Sequence, residues 1–204
     1  MNGKNIALYS LLAIVVLLPY VGLGYVIHWY KGKVKQIERA SVLVVDKESM
    51  TVSVVDYKGF VKANYPMACG LNYGNKQKRG DMRTPEGLFH VDDILDASSW
   101  KHDFKDGKGE IEGAYGPWFI RLDVPGHQGI GIHGTHLPES IGTRASEGCI
   151  RLKNEDIIAL KNIVYVGMPV IITPSYEDAV AMLQSGNASQ ASNQQRINLK
   201  NKEK

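Results

Sequence analysis

Cysteine is nearly absent: this chain of 204 residues has only Cys69 and Cys149. No CxxC pair and no cysteine-rich knuckle occurs, so a structural zinc module of that type is excluded. A single Cys69–Cys149 disulfide is chemically possible outside the cytoplasm, but it would silence either thiol as a nucleophile. The chain also lacks internal repeats and a helical His-x-x-x-His pair with its glutamate. Excess positive charge is missing where a nucleic-acid binder would need it. Formal net charge is +3, but residues 41–184 carry fifteen basic and nineteen acidic side chains (−4). The surplus lies in residues 1–40 (+4) and 185–204 (+3), so a nucleic-acid partner is not expected.

One long apolar run is present. Ile6 to Ile27 is interrupted only by Ser10, Pro19 and glycines, long enough for a helix to span a bilayer. His28, Trp29 and Tyr30 follow it, the aromatic type found at membrane interfaces. Residues 1–30 therefore read as a membrane anchor or a signal segment, and 31–40 as a polar linker. Lys31, Lys33, Lys35 and Arg39 follow the run, and the positive-inside rule applied to them would keep the remainder in the cytoplasm. At the other end, residues 185–204 hold mainly Asn, Gln, Ser and Lys and are expected to be a disordered polar tail.

Between these ends the pattern is mainly β with a few short helices, an α+β domain over 41–184. Val42–Val45, Thr51–Val55 and Phe60–Tyr65 alternate or are β-branched and predict an antiparallel meander. Further strands are expected at Leu88–Val91, Trp118–Leu122, Gln128–His133 and Val170–Thr173. Residues 70–87 read as a loop ending in a tight turn at Thr84-Pro85-Glu86-Gly87, and 96–117 as a long loop or flap. Asn154 is a candidate cap for a helix over Glu155–Val164. Ser175 with Asp178 suggests a capping box for a helix through Leu183.

The chemistry concentrates in two short blocks. Ile132-His133-Gly134-Thr135 offers an imidazole, and Ser146-Glu147-Gly148-Cys149-Ile150-Arg151-Leu152 a thiol. An imidazole that accepts the thiol proton, or pairs with the thiolate, makes cysteine a competent nucleophile at neutral pH. Adjacent glycines let a carbonyl approach the backbone and leave N–H groups free to face it. Cys149 and Arg151 should share one face of an extended segment, so the guanidinium could lower the thiol pKa or grip a substrate carboxylate. The pattern points to acyl transfer. A metal site built from His127, His133, His136 and Asp123 is disfavoured, because nothing in the spacing makes these groups converge.

With Arg83-Thr84-Pro85-Glu86-Gly87-Leu88-Phe89 and Ser140-Ile141-Gly142, these blocks resemble an L,D-transpeptidase catalytic domain of the YkuD type, in order and spacing, over residues 41–174. The resemblance implies a β-sandwich-type catalytic domain without a cofactor or metal, acting on the tetrapeptide stems of peptidoglycan. Cys149 would be the nucleophile and His133 its base, with the Gly148 and Cys149 N–H groups receiving the oxyanion. Arg151, Ser146, Gly134, Thr135 and His136 are candidate substrate contacts. Transfer to an amine would cross-link the wall, transfer to water would trim it, and a domain that only binds the wall is the non-enzymatic rival. A papain-like protease is a poorer match, since its cysteine precedes its histidine. The implied place is extracytoplasmic, with residues 6–27 in the membrane, against the charge pattern just described. The family usually has a histidine where this chain has Glu147. A carboxylate there opposes thiolate formation, so Glu147 is expected to turn away or to pair with Arg144 or Arg151, the alternative being a binding role towards an amine acceptor.

Overall fold

The computed structural model describes residues 20–29, 31–32, 41–105, 107 and 109–185. The expectations for the linker at 33–40, the tail beyond 185 and most of the apolar run lie outside the described residues. Residues 20–29 and 31–32 are helical, and no helix among the described residues is long and apolar enough to cross a membrane. The described residues up to 32 and those from Ser41 onward belong to two different units.

The second unit is built on one curled, mixed sheet of eight strands, the layering expected of a mainly β domain. Its first three strands are the anticipated meander: β1 (Ser41–Asp46), β2 (Thr51–Asp56) and β3 (Val61–Pro66), paired antiparallel in sequence. Period-two alternation sends Leu43, Val45, Val52 and Val54 into the core with no exposed surface. Burial of each such side chain stabilises the fold by about 1.5–3 kcal/mol.

Beyond β4 (Cys69–Gly70) the chain runs into β5 (Gly87–Asp96), longer than its apolar pattern suggested. The segment expected as a long loop instead contains a hairpin, β6 (Lys101–Asp103) and β7 (Glu110–Glu112). Charged residues hid it, because both short strands are largely exposed and have no apolar alternation to reveal them. Next come β8 (Trp118–Asp123), β9 (Gly131–His133), β10 (Arg144–Ser146), β11 (Ile150–Arg151) and β12 (Pro169–Thr173). Spatial order in the main sheet is β11-β9-β8-β5-β12-β1-β2-β3, so β9 and β11 lie together at one margin. β9 is shorter than expected because Val124 and His127 close a tight turn, after which Gln128–Ile130 stay irregular.

The helix Asn154–Lys161 is capped by Lys153 without a side-chain bond, contrary to the expected Asn154 cap. Asn154 spends its Oδ1 on the Thr135 N–H instead, 2.9 Å away. Ser175 and Asp178 do form reciprocal capping bonds (Ser175 N–H to Asp178 Oδ2 2.9 Å, Asp178 N–H to Ser175 Oγ 3.2 Å), and the helix spans 176–185.

Asp178 is also the centre of a buried charge cluster. Lys47 Nζ lies 3.0 Å from it, Arg144 Nη2 2.6 Å, and the Gly74 N–H donates at 2.6 Å. Burial alone would raise its pKa. The N–H donors of Ser175 and Gly74, with Lys47, overcome that and hold the carboxyl well below the usual range. Arg144 is therefore committed to the helix at 176–185 and is not a partner of Glu147. Replacing Asp178 with alanine strands buried cations, so urea unfolding of Asp178→Ala should show a loss of about 3 kcal/mol or more.

Candidate active site

The two chemical blocks meet because β11 runs parallel to β9, with Ile150 opposite Ile132 and Arg151 opposite His133. Ile132 and Ile150 face the core and are fully buried. By alternation, His133, Arg151 and Cys149 share the opposite face, and all three line a cleft of roughly 1540 Å³. One step back along the register sets Cys149 beside Gly131. His133 is then its diagonal neighbour on the same face.

His133 is held in one tautomer. Its Nδ1 lies 2.6 Å from the Gly134 carbonyl oxygen, which can only accept, so Nδ1 carries the hydrogen and Nε2 keeps a free lone pair. Phe119 stacks on the ring at 5.4 Å and 8°, and Tyr115 meets it edge-on at 4.9 Å. Burial dominates the ring's titration and, against the Gly134 hydrogen bond, pushes its pKa down to about 3. Neutral imidazole is the resting form.

Cys149 is half-buried and free, and its thiol points to the Gly129 carbonyl at 3.3 Å. Burial raises its pKa, outweighing the Gly131 N–H, Arg151 and Lys76, which all favour the thiolate. Neutral thiol and neutral imidazole therefore coexist, and not a preformed ion pair. Cys69 is fully buried in the core, where burial likewise raises its pKa.

The turn before the thiol is tightly braced. Ser146 Oγ donates to the Cys149 carbonyl (2.5 Å) and accepts the Gly148 N–H (3.1 Å). That bond takes the Gly148 N–H away from the expected oxyanion role and leaves the Cys149 N–H, which has no acceptor among the described residues. Thr84, expected in a tight turn, is instead buried in irregular chain. Its hydroxyl accepts the Gly70 N–H (2.8 Å) and donates to the Gly148 carbonyl (3.0 Å). Gly148 has φ +133°, and a Cβ there would meet the Arg83 carbonyl oxygen at 2.7 Å. Gly148→Ala should destabilise the protein by about 1–3 kcal/mol, read as a lowered denaturant midpoint.

The other candidate contacts divide. Ser146 and Arg151 line the cleft; Gly134, Thr135 and His136 do not. Gly134 is pressed against Gly116 and the Asn154 side chain, leaving no space for a side chain, and Thr135 Oγ1 accepts the Leu137 N–H. His136 packs on Phe104 at 5.3 Å with Nδ1 3.5 Å from the Ala114 carbonyl. Arg151 is buried, its guanidinium 5.3 Å from the Phe104 ring and its Nε without a partner. Glu147 pairs with neither arginine; it meets His102 of β6 at 3.2 Å. His102 and Tyr115 are the site residues the sequence left unmarked, and Thr84 was marked only within a turn and a family block. No group of three or more His, Cys, Asp or Glu side chains among the described residues could hold a metal ion.

The family model described as the YkuD L,D-transpeptidase catalytic domain matches residues 40–172, and the chain belongs to this family. It is 32% identical over 134 residues to the putative L,D-transpeptidase YqjB of Bacillus subtilis, covering 64% of this chain and 70% of the relative. A putative L,D-transpeptidase YkuD of Bacillus licheniformis is 45% identical over 62 residues, 30% of this chain and 36% of that one. Among solved structures, the helical cell shape determining protein Pgp2 of Campylobacter jejuni shares the fold with a TM-score of 0.50 at 21% identity. That match covers 67% of this chain but 48% of Pgp2, so this chain spans about half the length of that protein.

Proposed function

We propose that the protein is a cysteine-dependent L,D-transpeptidase acting on peptidoglycan tetrapeptide stems. The observation that carries this reading is a thiol and a neutral imidazole on one cleft face, with the imidazole's Nε2 left unprotonated by the Nδ1–Gly134 bond. Family membership supports the substrate class.

In the first half-reaction, His133 Nε2 takes the Cys149 proton as Sγ attacks the carbonyl joining the third, diamino-acid residue to the terminal D-alanine. The Cys149 N–H receives the oxyanion. Collapse breaks the C–N bond, and the leaving amine takes the proton from Nε2, leaving a thioester. In the second, an acceptor amine gives its proton to Nε2 and attacks the thioester carbonyl. The C–S bond breaks, and the same proton returns to the sulfur. Arg151, buried on the cleft wall with an unpartnered Nε, binds the substrate carboxylate.

Stem peptides lie outside the cytoplasmic membrane, and there we place the folded unit; the apolar run Ile6–Ile27 supports attachment to that membrane. The test is incubation with a defined tetrapeptide stem, with and without an amine acceptor. D-alanine release and a cross-linked product are expected. Release that yields only tripeptide would make the protein a carboxypeptidase, and no release would overturn the assignment.

A further inference from the structure

Glu147 stands two residues before the candidate nucleophile, with its side chain 46% exposed at the cleft. Its carboxylate can only accept, so His102 Nε2, 3.2 Å away, carries the hydrogen. In the neutral ring Nδ1 then has a lone pair, and the Tyr115 hydroxyl lies 2.9 Å from it. Burial, with Cys149 and Glu147 nearby, raises the Tyr115 pKa, so this phenol remains a hydrogen donor at neutral pH. The bonds run in one direction, from Tyr115 O–H to His102 and from His102 N–H to Glu147.

This chain of bonds reaches the candidate base. The Tyr115 ring stands edge-on to His133 at 4.9 Å and 65°, and edge-on to Phe119 at 5.7 Å and 71°. Trp100, at the foot of β6, meets Tyr115 at 5.7 Å and Phe119 at 5.4 Å. β6 and β7 pair only with each other and not with the main sheet. A hairpin this short has little stability of its own, so side-chain contacts decide where it rests. Of the contacts made by β6, the one from His102 to Glu147 ties it to the nucleophile turn.

We propose that Glu147 and His102 form a clasp that fixes β6 against the nucleophile turn and, through Tyr115, sets the orientation of the His133 ring. Both act as positioning residues, and the inference rests on the reaction proposed above. The clasp gives the acidic side chain beside the nucleophilic sulfur a hydrogen-bond partner, while its charge adds to the raised Cys149 pKa.

A double-mutant cycle with two readouts tests the clasp. With a tetrapeptide stem, His102→Ala and Glu147→Ala should each lower kcat about tenfold with KM little changed, because the ring orientation and not the binding surface is lost. The His102→Ala/Glu147→Ala double variant should sit no lower than His102→Ala alone, since both changes remove the His102–Glu147 contact. The swapped His102→Glu/Glu147→His protein, which can rebuild the pair in reverse, should recover to within about threefold of wild type. Hydrogen exchange at the amides of Lys101–Asp103 and Glu110–Glu112 should quicken in Glu147→Ala. Single losses that multiply to about a hundredfold, or unchanged exchange in Glu147→Ala, would overturn the clasp. If wild type releases no D-alanine, the proposed function fails, yet the exchange measurement still decides whether the clasp exists.

Discussion

Cys149→Ala is expected to release no D-alanine above background, a fall of at least about ten-thousandfold, with the fold retained. The size follows from the role: without sulfur no thioester forms, and the remaining cleft only binds. Retention of the fold follows from position. Cys149 is half-buried in a turn held by Ser146 and Thr84, and neither bond uses the thiol. Cys69→Ala is the matched control. It removes a fully buried sulfur from the core, so it should lower the unfolding midpoint while leaving turnover in place. Full loss in Cys69→Ala with activity in Cys149→Ala would reverse the assignment.

The second large effect is at His133. His133→Ala should cost between about a hundredfold and ten-thousandfold in kcat, the range for a positioned general base. The same residue sets the pH behaviour. With its pKa pushed down to about 3, His133 stays an unprotonated base through the mildly acidic range, so no activity limb should appear near pH 6.5. On the alkaline side the Cys149 thiol, raised by burial, stays neutral past its ordinary value, and a plateau spans neutrality. Stability follows the opposite requirement. An unfolded histidine takes a proton near pH 6.5, whereas the folded ring resists until about 3. The unfolded state thus binds more protons in that window. The stabilising contribution is complete above 6.5 and is lost as pH falls toward 3. Between these limits the unfolding midpoint of wild type should fall more steeply than that of His133→Gln. Parallel slopes would remove the buried neutral ring from the account.

Much of this was legible because the informative residues are those whose pattern is local. Period-two burial disclosed β1, β2 and β12, and Ser175 with Asp178 disclosed a helix start whose bonds are present. Cys149 and Arg151 were placed on one face by alternation alone, and both line the cleft. What stayed hidden depends on partners distant in sequence. Glu147 was expected to meet Arg144 or Arg151, the nearest cations along the chain, but Arg144 is drawn 34 positions away to Asp178 and His102 arrives from 45 positions before. Asn154 looked like a helix cap because that role is local; its bond to Thr135 exists only once β9 lies beside the helix. Thr84 was read only as part of a turn and a family block, since a hydroxyl bridging Gly70 and Gly148 has meaning only after three segments converge.

The measurement that bears most directly on the whole account is intact-mass spectrometry of the protein mixed with a tetrapeptide stem, followed by peptide mapping of the adduct. We predict a gain equal to the stem's tripeptide acyl group, confined to the peptide containing Cys149 and discharged when an amine acceptor is added. Turnover that proceeds with an unmodified Cys149, or an acyl group carried on Cys69, would contradict it.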